Sequence, residues 1–261
     1  MTAIHTFGEL LKDWRARRRM SQLDLALDAE ISQKHLSFIE TGRSIPSRDM
    51  VIRLSEVLDM PLRGRNRLLN AAGYAAMYLA RSLDDPSLAA ARAAIDQLLS
   101  AHDPYPALAI DPRWTLIAAN QSLQNLLAVV ADKTLLEPPV NVLKLSLHPG
   151  GFAPFIINLG QWRTHILMRL RHQMQASGDG ALSQLLTELE SLPAPDDNEG
   201  QGDFGDVYVP LRLRLPMGEL SFFSTTTVFG APFDVTLSEI AVEAFFPADA
   251  ETQAILRGTT G

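Results

Sequence analysis

Between residues 21 and 47, three helix-starting serines and one helix-ending glycine stand so close together that only short helices joined by tight turns fit between them. Ser21 can accept from the free N–H groups of a helix that continues through Leu23, Leu25, Ala26 and Leu27, with Asp24 favourable in its first turn. Glu30-Ile31 leaves room only for a tight turn before Ser32 opens the next helix, Gln33 to Ile39. Gly42 suits the left-handed turn that ends it, and Pro46-Ser47 introduce a fourth helix through Met50, Leu54 and Leu58. Pro61 begins a fifth, which ends near Gly73. Ahead of these, Phe7, Leu10, Leu11 and Trp14 recur at helical spacing beside Lys12, Arg15, Arg17, Arg18 and Arg19, a basic amphipathic helix.

Turning Ile31, Leu36 and Ile39 inward leaves Gln33, Lys34 and Ser37 on the outer face of the third helix, behind its Ser32 cap. These residue types can read bases: Gln pairs two-pronged with adenine N6 and N7, Lys donates to guanine O6 and N7, and Ser serves either. Gln22, at the start of the second helix, is placed to meet a phosphate, and Arg17, Arg18, Arg43 and Arg48 to hold the flanking backbone. Charge agrees with this. The chain totals -7, yet residues 1–80 carry 12 Lys or Arg against 9 Asp or Glu, a net of +3, leaving -10 for the remainder. The runs Ser21-Gln22-Leu23-Asp24-Leu25-Ala26 and Leu36-Ser37-Phe38-Ile39-Glu40-Thr41-Gly42-Arg43-Ser44-Ile45-Pro46 resemble the lambda-repressor-like helix-turn-helix domains of the XRE family. The resemblance implies five helices over residues 7–73, the third lying in the major groove of a double-stranded DNA operator.

At 261 residues the chain exceeds what one compact core usually holds, so two domains are expected. The boundaries read as 5–75 for the helix-turn-helix domain, 76–105 for a short connection and linking helix, and 106–261 for a larger domain. Leu88 to Ser100 reads as a helix, Ala107 to Ile110 as a strand, Asp111-Pro112-Arg113 as a turn and Trp114 to Ala118 as a second strand. Asn120 begins another helix through Leu123, Leu126 and Leu127. Val142 to Leu147 fits helix or loop equally, His148-Pro149-Gly150-Gly151 breaks it, and Trp162 to Met174 and Ala181 to Leu192 are helices. Pro193 to Asp203 is acidic and exposed in character. Val207 to Leu215 and Glu219 to Val228, joined at Met217-Gly218, read as a β-hairpin. The fold class is therefore α+β, with about five strands in an antiparallel sheet covered on one face by helices.

Strand, turn, strand and then Ala118-Ala119-Asn120 look like the opening of a PAS-type sensor domain. The runs Leu220 to Thr227, Pro232 to Leu237 and Phe245 to Asp249, with Asn141-Val142-Leu143 and His148-Pro149, are similar to the MmyB-like regulators. That resemblance implies a PAS-like domain with an apolar pocket for a small, fatty-acid-like molecule. Phe152, Phe155, Trp162 and Phe222 are candidates for its lining, together with Phe223, Phe229 and Phe245, and Asn120, His148 and Arg163 for holding a polar head group.

An enzyme is not expected. The six histidines form no metal-binding cluster, His165 and His172 fit a solvated basic face, and no serine stands in a G-x-S-x-G turn. Asp196-Asp197, Gly178-Asp179-Gly180 and Gly200-Gln201-Gly202 match no acid–base or dinucleotide site. No metal and no cofactor are expected. With no cysteine, no signal-like start at Met1 to His5 and no long apolar run, a soluble cytoplasmic protein without a membrane segment is expected. Partners are DNA, a small apolar ligand and a second copy of the chain, as a homodimer on a pseudo-palindromic operator. The alternative is a ligand-independent dimeric repressor whose second domain only dimerises or meets another protein.

Overall fold

The structure, a computed structural model, describes residues 6–193, 208–230 and 234–258. The acidic stretch beyond Pro193, Val207 of the expected strand, Asp196-Asp197, Gly200-Gln201-Gly202 and Pro232-Phe233 lie outside the described residues. Contacts divide the chain into two compact units, Met1–Ser82 with Gln173–Gly178 and Pro232–Ser238, and Leu83–His172 with Asp179–Ala231 and Glu239–Gly261.

The first unit contains α1 (Phe7–Arg17), α2 (Gln22–Asp28), α3 (Gln33–Glu40), α4 (Arg48–Val57) and α5 (Leu62–Ala71). Four of the five begin at a hydroxyl: Thr6, Ser21, Ser32 and Ser47 accept from the backbone N–H of Glu9, Asp24, His35 and Met50. Each such cap stabilises its helix by about 1 kcal/mol. Glu9 and Asp24 return the bond to the cap's own N–H, and Ser21's bonds hold the Asp24 carboxyl below the usual carboxylate range. At the end of α3, Gly42 N donates to Ile39 O at 3.1 Å and Arg43 N to Phe38 O at 2.8 Å. This double closure requires a left-handed residue, and Gly42 supplies it at φ +73. In α1, α2 and α4 that place is taken by Arg19, Glu30 and Asp59. The core is built from Leu11, Trp14, Leu25, Leu36, Ile39, Leu54, Leu58 and Leu68 with their neighbours. Leu23 and Leu27, expected in the apolar series of α2, are instead 51% and 66% exposed, so only Leu25 and Ala26 anchor that helix.

The second unit is built on an antiparallel sheet of β1 (Ala107–Ile110), β2 (Leu116–Ala119), β3 (Leu211–Leu215), β4 (Gly218–Val228) and β5 (Ala241–Pro247). The strand order is β2-β1-β5-β4-β3. The last strand in sequence is thus the centre of the sheet, paired with β1 through Leu108↔Glu243 and with β4 through Thr226↔Glu243. With it go α6 (Ala89–Ala101), α7 (Gln121–Leu127), α8 (Val142–Leu147), α9 (Leu159–Ser177) up to His172, α10 (Ala181–Ser191) and α12 (Ala250–Arg257); α11 (Val235–Glu239), which precedes β5, is counted with the first unit up to Ser238.

The second face of the sheet, expected to be open, is covered over β1 and parts of β4 and β5, while Arg212 and Arg214 of β3 stay exposed on it. Thr252 of α12 accepts from Ser221 N, and the ring of His102, just past α6, lies 4.6 Å from that of Phe246, which stacks on Phe223 at 5.3 Å. The physical reason is visible in β1, where all four residues are buried and no polar face remains. Trp114 is not in β2. Asp111 Oδ1 accepts from Arg113 N and Thr115 N, which lengthens the turn and leaves Trp114 buried in the left-handed region at φ +64. Val142–Leu147 is a helix, started by Asn141 Oδ1.

Candidate nucleic-acid interface and ligand cavity

On α3 the side chains of Gln33 and Lys34 are exposed and Ser37 is half-buried, all on the face away from Leu36 and Ile39. The Ser32 hydroxyl is occupied by the cap, accepting from His35 N at 3.1 Å. Lys34 Nζ and Arg43 Cζ lie 5.7 and 5.9 Å from the Phe38 ring centroid, so one half-buried aromatic ring holds cations from α3 and from the loop after it. Arg17 and Arg48 are exposed at the last turn of α1 and the first of α4. Arg18 is engaged inside the fold, donating through Nε to Leu58 O at 2.7 Å and through NH2 to Asp59 O.

Gln22 is not free-standing. Its Nε2 donates to Glu40 Oε2 at 2.7 Å, and Arg15 grips the same carboxylate in a fork, Nε to Oε1 at 2.8 Å and NH2 to Oε2 at 3.2 Å. Glu40 is 3% exposed. The network therefore ties α1, α2 and α3 together and orients Gln22 from behind. Neither Arg15 nor Glu40 stood out in the sequence, although Leu36, Ile39 and Glu40 at i, i+3 and i+4 share one helix face and mark a buried acid.

In the second unit, a cleft with about 940 Å³ of empty space, part of it open to solvent, lies between one face of the sheet and α7, α8 and α9. Leu108, Leu116, Leu211, Leu213, Phe222 and Phe245 supply its floor, and Leu123, Leu127, Val142, Leu145, Phe152 and Trp162 its roof. Phe152 reaches it because Gly151 lets the chain fold back on α8: a Cβ there would stand 2.2 Å from Leu145 O. The polar groups on the wall are Ser146, His165, Arg169 and Glu243. Arg169 NH1 donates to Glu243 Oε1 at 2.7 Å and NH2 to Thr226 Oγ1 at 2.9 Å, while its guanidinium lies 4.6 Å from the Trp114 ring centroid. Trp162 Nε1 donates to Ser146 Oγ at 3.0 Å, and His165 stacks on Trp162 at 5.5 Å. Burial pushes His165 below its ordinary value, Arg169 pushes the same way, and Glu243 opposes both.

A family model described as "MmyB-like transcription regulator ligand binding domain" matches residues 91–258, and one described as "Helix-turn-helix" matches residues 11–64. The chain belongs to the MmyB-like transcription regulators. It is a DNA-binding transcription regulator with a ligand-binding domain, and both matched models describe regulator domains rather than enzymes. No curated protein matches the chain.

In this MmyB-like regulator the expected lining residues Phe152, Trp162 and Phe222 come together, joined by Phe245, whereas Phe155, Phe223 and Phe229 are not on the cavity wall. The three expected head-group residues also lie outside the wall, each held by backbone. Asn120 Oδ1 accepts from Ala107 N and Leu123 N while Nδ2 donates to Tyr105 O. His148 Nδ1 accepts from Gly150 N, and Arg163 NH2 donates to Glu190 O. His165, read as part of a solvated face, is half-buried on the wall, whereas His172 is exposed. A signal existed: Trp162, His165, Ile166 and Arg169 share one face of α9 at i, i+3, i+4 and i+7.

Proposed function

We propose that this MmyB-like regulator binds a pseudo-palindromic operator as a homodimer, and that an elongated, fatty-acid-like molecule in the second unit changes its affinity for that operator. The observation that carries the reading is the cleft, whose largely apolar walls carry one small set of polar side chains, a composition suited to an amphiphile with chain and head. Gln33, Lys34 and Ser37 read bases from the major groove. Gln22, Arg17, Arg43 and Arg48 hold phosphates, and Ser32 keeps the N-terminus of α3 capped. Two recognition helices stand roughly 34 Å apart on the two half-sites. Occupancy regulates because the ligand binds the DNA-competent and incompetent arrangements with different affinity.

The test is mass spectrometry of small molecules released from the purified native protein, followed by operator binding before and after their removal. A long-chain species whose removal changes operator affinity is the expected result. A protein that binds its operator identically with and without every ligand it can hold is a ligand-independent repressor, and the sensing half of the reading falls.

A further inference from the structure

We infer that the polar side chains of the cavity wall select acyl chains with an uncharged, hydrogen-bonding head group, an amide, ester or alcohol, over a free carboxylate; this rests on the ligand-binding reading above. Glu243 stands on the inward face of the central strand, its side chain 7% exposed, among Leu108, Phe222 and Phe245. A carboxylate there is costly unless matched, and Arg169 matches it. Ser224 Oγ adds a bond to the same Oε1 at 3.2 Å, and Thr226 and the Trp114 ring take further faces of the guanidinium.

The consequence is a polar part of the wall without surplus positive charge. A fatty carboxylate entering it either lies beside the Glu243 carboxylate or displaces it from Arg169, leaving a buried anion unpaired. The third titratable group on the wall, His165, does not supply the missing cation near neutral pH, because burial and Arg169 both disfavour its protonation. An uncharged head group meets partners of both kinds. Ser146 Oγ accepts from Trp162, which leaves its own O–H to donate, and Glu243 Oε2 takes none of the bonds made by Arg169 and Ser224.

The experiment is displacement of the neutral dye Nile red from the delipidated full-length protein, near neutral pH, by decanamide, decanol and decanoate, each below its aggregation limit. Decanamide and decanol are expected to displace half the dye at concentrations at least ~10-fold lower than decanoate requires, as like charge beside a buried carboxylate dictates. In Glu243→Gln, which leaves Arg169 unmatched, decanoate gains ~10-fold or more and the preference for uncharged head groups is lost. Decanoate binding the native protein as tightly as decanamide overturns head-group selection while leaving an acyl ligand in place. Failure of all three to displace the dye overturns the ligand reading and this inference with it. If Glu243→Gln does not fold, the native series alone decides.

Discussion

Glu40 receives two nitrogens from Arg15 and one from Gln22 in the proposed recognition helix, so its carboxylate couples the stability of the domain to the orientation of a proposed phosphate-contacting side chain. Glu40→Ala leaves Arg15 facing the core without its partner and is expected to destabilise the domain by about 3 kcal/mol, read by urea denaturation. At the interface itself, Gln33→Ala is expected to lose about 1–3 kcal/mol on the operator and little on random DNA, relaxing sequence preference. Arg43→Ala weakens both alike. Titrating operator and scrambled duplexes separates the two, and equal losses for Gln33→Ala would remove it as a base reader. His165 contributes an acid-side pH dependence to the second unit. Its folded value lies below the unfolded value of about 6.5, so protons favour the unfolded chain. The stabilisation from keeping it neutral is intact above that pH and is lost as pH falls through the folded value. His165→Gln is expected to show a shallower acid-side fall in Tm than the native protein.

The helices of the first unit are ended by the same backbone closure, but with different residues at the left-handed position. A non-glycine residue there costs about 1–2 kcal/mol, offset by the greater freedom that glycine brings to the unfolded chain. Glu30, at φ 56 in the turn between α2 and α3, bears only an exposed contact to Arg53 at 3.5 Å. Glu30→Gly is therefore expected to raise stability by about 0.5–1 kcal/mol, and Gly42→Ala to lower it by a similar amount, both measurable as shifts in the urea midpoint. The same elements show why boundaries were legible at the front and less so behind. Caps and closures need only residues within six positions of one another, and Ser21, Ser32, Gly42 and Ser47 all stand where the helices begin and end. β5 has no such signature. Ala-Val-Glu-Ala-Phe-Phe-Pro does not alternate, because a central strand is buried on both faces, and its one charge reads as a surface residue until Arg169 is found opposite it.

For the whole molecule, the separation of charge into a basic front and an acidic remainder makes DNA binding a matter of salt. Each phosphate contact contributes about -0.9 to the slope of log affinity against log salt, so Arg43→Ala should make the slope shallower by about 1, whereas Gln33→Ala leaves it unchanged. Sedimentation with operator duplex is expected to give two chains per full site and one per half-site.

The sequence by itself determined what neighbours in the chain can decide: five helices with the serine caps of three of them, the outward face of α3, the β3–β4 hairpin and the α+β class, because these depend on periodicity, turn chemistry and local backbone bonds. Only the tertiary structure decided which strand is central, which aromatic residues reach the cavity and which polar groups close it. Arg169 and Glu243 are 74 residues apart, and no local rule joins a helix face to a strand face across that distance. Asn120, His148 and Arg163 had the right chemistry for a head group, but backbone groups beside them in the fold claimed it first.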